Sequence, residues 1–175
     1  MKALTGWMTG LALALSANAA IAQDESTNRV AVETAWSVFV EDDPQECWSV
    51  SSPTNTVNTQ DGEEVSVQRG QILLFVTFRP GADVDGEVSF TGGYPFAEGS
   101  TVEVDVGGTS YELFTEGEWA WPGSPADDAR IVAAMRGGAD AVLTARSSRG
   151  TTTKDTFSLM GFTAALEEAQ SRCSG

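Results

Sequence analysis

The chain has 175 residues, with 25 Asp and Glu against 10 Lys and Arg, two Cys and no His, for a formal charge of −15. Without histidine, Ser-His-Asp and Cys-His nucleophilic sites are excluded, and so is the commonest zinc ligand. The acidic surplus repels polyanions, so nucleic acid and anionic lipid headgroups are poor partners.

Lys2, an apolar run over residues 4–15 and the small residues of Ala20-Ile21-Ala22 form the three regions of a signal peptide over residues 1–22. The run falls short of the ~20 apolar residues a transmembrane helix needs. The sequence therefore predicts export to the periplasm, with secretion or outer-membrane association as variants of that fate, and no transmembrane segment. Residues 23–32 read as a flexible N-terminus and residues 33–175 as one domain. Trp36, Val38 and Val40 alternate as in a strand, and Cys47-Trp48-Ser49-Val50 follows the acidic turn EDDPQE as its partner. Residues 53–62 read as a polar loop, and Val65 and Val67 alternate before a turn at Arg69-Gly70. The run ILLFVTF over 72–78, followed by Pro80-Gly81, fits a central strand buried on both faces.

Val88 and Phe90 precede a Gly92-Gly93 turn, and Val102, Val104 and Val106 alternate with acids before Gly107-Gly108 leads into TSYELF, a hairpin. Ser124 as N-cap, Pro125 and the Asp127-Asp128 pair start a helix that Gly137-Gly138 stops. Residues 141–145 return to strand, and Asp155, Phe157 and Leu159 share one face of another. Phe162, Ala165, Leu166, Ala169 and Cys173 recur at helical spacing, so Cys173 ends the buried stripe of a C-terminal helix. The fold class is mainly β: a β-sandwich-like single domain with two short helices, the last one C-terminal. In an exported chain, Cys47 and Cys173 read as a structural disulfide, the alternative being two free thiols.

The segment FSLMGFTAAL (157–166) resembles the C-terminal signature of the invasion-associated locus B (IalB) family, and Trp36-Ser37-Val38 with Glu46-Cys47-Trp48 resembles that family's opening strands. The resemblance implies an exported bacterial protein with no known enzymatic activity. The chain departs from the pattern at Val40, near which many members carry a cysteine, and in its cysteine-free middle.

Five residues stand out as candidates for ligand or partner contact. Arg146 and Arg149 flank a Ser-Ser-Arg-Gly turn where hydroxyls, amides and guanidinium groups can converge on an anion; the competing reading pairs them with the acids of residues 98–118. Lys154 closes Thr151-Thr152-Thr153-Lys154, which has nucleophile-x-x-Lys spacing but no companion motif. Trp119 and Trp121, if on a strand, project from one face and can stack on sugar rings with Glu116 and Glu118 beside them; the competing reading has them cover the end of the core. Asp83, Asp85 and Glu87 have only half of a calcium loop, and no metal or cofactor is called for. The leading expectation is an exported, non-enzymatic protein that binds an envelope protein or glycan. A glycan- or peptidoglycan-binding module built on Trp119 and Trp121 is the alternative, and a carboxylate-based hydrolase the third reading.

Overall fold

The computed structural model describes residues 28–174; the signal peptide expected over residues 1–22 lies outside them. Twelve strands form one antiparallel sheet: β1 (Arg29–Glu33), β2 (Trp36–Asp42), β3 (Gln45–Ser51), β4 (Asn55–Gln60), β5 (Glu63–Glu64), β6 (Leu73–Arg79), β7 (Val84–Thr91), β8 (Thr101–Val106), β9 (Thr109–Glu116), β10 (Trp119–Trp121), β11 (Asp140–Arg146) and β12 (Thr152–Ser158). Two helices, α1 (Pro125–Gly137) and α2 (Phe162–Cys173), complete the fold. The spatial order is β1-β2-β3-β6-β7-β10-β9-β8-β11-β12-β4-β5.

The sheet curls onto itself. Phe90 of β7 meets Phe157 of β12 at 6.2 Å between ring centroids, although the two strands are five places apart, a distance of roughly 24 Å in a flat sheet. The inner faces of the two halves thus enclose a common core that includes Trp36, Val38, Leu74, Val88, Phe90, Val104, Leu113, Leu143 and Phe157. The packing is sandwich-like, but both layers belong to one continuous sheet.

α2 closes the core over β2 and β3 with Phe162, Ala165, Leu166, Ala169 and Cys173 buried, the stripe its spacing predicts. Cys47 and Cys173 form a disulfide with Cα atoms 5.9 Å apart. α1 begins as expected, with Ser124 Oγ accepting from the Asp127 amide. Its Asp128 carboxylate in turn accepts from the Val88 amide at 2.8 Å, tying the helix to β7.

Three local expectations are corrected. Of the N-terminus read as flexible over 23–32, residues 23–27 lie outside the described residues and residues 29–32 are strand β1, paired with β2. The supposed loop 53–62 contains β4, which pairs with β12 from Thr152↔Thr59 to Thr156↔Asn55. A polar strand such as NTVNTQ has no apolar alternation to reveal it, because backbone pairing rather than burial holds it. Conversely, Val65 and Val67 lie past β5 in irregular chain, with Val67 exposed.

Candidate functional site

The outer face of the sheet, turned away from the core, carries an aromatic groove. Strand parity places it there. Cys47 points inward to its disulfide, so Glu46 and Trp48 point outward; Leu74 and Val76 are core, so Phe75 and Thr77 face out; Ala120 is buried, so Trp119 and Trp121 face out. Together with Arg79, Glu87 and Ser89 these outward residues line a groove of about 320 Å³ across β3, β6, β7 and β10.

Its walls are rings. Trp119 and Trp121 stack with centroids 6.3 Å apart and planes 22° from parallel, and Phe75 approaches Trp119 at 5.7 Å. Beyond Trp48, Phe39 of β2 stacks on it at 5.6 Å with planes 7° apart. Between the rings, Thr77 and Ser89 form a hydroxyl floor. One end is ionic: Arg79 pairs with Glu87 and sits 3.4 Å from Glu46. Both groove carboxylates are thus engaged by one cation rather than opposed across a gap.

This arrangement overturns the reading in which the two tryptophans cap the core. Trp119 is 39% exposed. Glu116 faces Trp119 directly across β9 and β10, but Glu118 lines a different cavity and does not flank the pair.

That second cavity, about 290 Å³, takes in Arg149 with Ser147, Ser148, Glu118 and Tyr94. It receives neither Arg146 nor Lys154, which are exposed at the end of β11 and on β12. Among the described residues, Arg146, Arg149 and Lys154 form no ion pair, so the expected pairing with the acids of residues 98–118 is absent there. Four of the turn's amides are already engaged. Ser147 donates to Thr151 O, Ser148 to Pro95 O, Gly150 to Ser147 O and Thr151 to Ser147 Oγ. The nucleophile-x-x-Lys spacing likewise dissolves, since Thr151 is buried in the turn and Lys154 is exposed on the outer face.

Behind this cavity lies a charge pair that sequence reasoning passed over. Arg69 grips Asp155 with two hydrogen bonds of 2.7 and 2.6 Å, donates to Gly92 O and Asn58 Oδ1, and lies 5.0 Å from the Tyr94 ring centre. Its side chain is 6% exposed and that of Asp155 0%. Burial pushes the Asp155 carboxyl above the ordinary aspartate range, against the pull of Arg69. Burial also raises the Tyr94 phenol, whose oxygen is 2.5 Å from Thr153 Oγ1. With its donors committed, Arg69 is structural.

The family model for invasion associated locus B (IalB) protein matches residues 36–170. The chain belongs to the IalB family. Among solved structures, the crystal structure of invasion associated protein b from Bartonella henselae is similar in fold, with a TM-score of 0.57 and 17% identity over 83% of this chain and 98% of that one. No curated protein matches the sequence. The two IalB-like segments meet in space. Trp36 packs edge-on against Phe162 at 4.9 Å and donates its indole N–H to Ser158 O, while the Ala35 amide donates to Met160 O. Gly161 explains the glycine of that signature: it has φ 87°, and a Cβ there would lie 2.0 Å from the Glu33 carbonyl oxygen. Most of the residues that mark the family form this clasp between β2 and the start of α2, while Glu46 and Trp48 of the second opening strand line the groove.

Proposed function

We propose that this chain is an exported, non-enzymatic binding protein of the bacterial envelope, and that it takes a saccharide-bearing component on the aromatic groove of its outer face. One observation carries the reading. Two nearly parallel tryptophan rings stand outside the core, in an open groove whose other wall is Trp48 and Phe75 and whose floor is hydroxyl-bearing. Pyranose rings offer apolar C–H faces to such surfaces and hydroxyls to the polar groups between them. Among the described residues no helix is long and apolar enough to cross a membrane.

The test is tryptophan fluorescence of the purified protein titrated with saccharide fragments released from bacterial envelopes. Binding should shift the emission, and Trp119→Ala should abolish the shift while leaving the circular dichroism spectrum intact. A shift that persists in Trp119→Ala moves the ligand elsewhere and defeats the assignment. Fractionation of the producing cells checks the location: recovery in the cytosol contradicts export.

A further inference from the structure

Resting on the saccharide reading of the groove, we infer that its ligand is an unbranched, uncharged β-1,4-linked hexopyranose chain lying across the strands, gripped along its length rather than at a terminal sugar. The aromatic surface does not end at the groove. Phe39 extends it onto β2 through its stack on Trp48, and beyond Trp121 the 55% exposed Phe114 stands across on β9, where it lines the next cavity along. Rings therefore occur on five of the six successive strands β2, β3, β6, β7, β10 and β9, and the sixth, β7, contributes the Ser89 floor. Six strands span roughly 24 Å, more than a terminal sugar covers. Rings spread over several strands suit a chain that passes across them, whereas capture of a chain end needs an enclosed pocket. A β-1,4-linked chain is an extended ribbon whose equatorial substituents leave both faces of each ring free to stack.

Charge selects against acidic polymers. Among the described residues Arg79 is the one cation lining the groove, and Glu46 and Glu87 already engage it. Glu116 adds a further negative charge beside Trp119. A polyanionic glycan would meet net repulsion from the groove and from the chain as a whole.

The experiment is calorimetric titration of the full mature chain with chito- and cello-oligosaccharides from the di- to the hexasaccharide, with heparin as the polyanionic comparison. Affinity should tighten with each added ring in at least one series. Phe39→Ala and Phe114→Ala, both surface changes, should each weaken the hexasaccharide about threefold to tenfold, as expected for one lost ring contact, and leave the disaccharide unchanged. Trp119→Ala should weaken every length. Equal affinity for di- and hexasaccharide overturns the chain inference and leaves the saccharide reading standing. Binding of neither series at any length overturns the chain inference, and the fluorescence titration with envelope fragments decides the saccharide reading separately. Tighter binding of heparin overturns the charge argument. Sedimentation showing a dimer that Trp119→Ala dissociates would assign the face to a second copy instead, and overturn the inference with it.

Discussion

Arg69 and Asp155 set the sharpest test at the scale of single residues. Arg69→Met would leave Asp155 buried without its partner, and the expected cost is about 3–5 kcal/mol in urea denaturation. Arg69→Met with Asp155→Leu should recover most of that loss, because a paired apolar replacement leaves no uncompensated charge. Removing Arg69 also removes the opposing influence on a carboxyl that burial already raises, so Asp155 should titrate higher still. A raised folded-state value means the folded form holds the extra proton. The deficit of Arg69→Met should therefore be complete above that value and shrink as pH falls toward the ordinary aspartate value. A deficit that grows on acidification contradicts this account. Gly161→Ala tests the clasp: a left-handed backbone costs a non-glycine residue about 1–2 kcal/mol, and overlap with the Glu33 carbonyl adds to it. Thermal unfolding of the variant measures the sum.

At the scale of elements, α1 depends on its first turn. Ser124→Ala should lower stability by about 0.5–2 kcal/mol. The same hydroxyl is the main cause holding the Asp127 carboxyl below its ordinary value, with Arg130 second, so in Ser124→Ala that carboxyl should titrate nearer the ordinary value by NMR. Because the folded value is depressed, the contribution of Asp127 is present above its unfolded value and lost as pH falls through the folded one. The elements differ in how plainly they could be read. Helix α1 was legible because cap, proline and acids agree, and α2 because its apolar spacing ends on a cysteine. β4 was hidden because its strand is polar. The groove was half legible: Trp119 and Trp121 were visible as a pair, but Trp48 and Phe75 lie 27 residues apart in sequence, and only the sheet order joins them. Trp48 carried a usable signal, since the neighbour of an inward disulfide cysteine on a strand must point outward. Arg69 carried none, because its irregular segment meets β12 only through the curl of the sheet.

At the scale of the whole molecule, β2 and β3 are tied to the C-terminal helix α2. The disulfide joins residues 126 apart in sequence, and constraint of so long a loop is worth about 4–5 kcal/mol in the chain-entropy model. Reduction, or Cys47→Ser with Cys173→Ser, should lower the urea midpoint by a comparable free energy, and an unchanged midpoint would show the bridge to be energetically idle. The clasp also has a kinetic consequence. During vectorial emergence of the chain, β1, β2 and β3 appear first, yet Trp36 must wait for Ser158 and Phe162, and Cys47 must wait for Cys173. The earliest strands are thus the last to be finished. Such high contact order slows folding and leaves the first strands without their final partners until the C-terminal helix arrives.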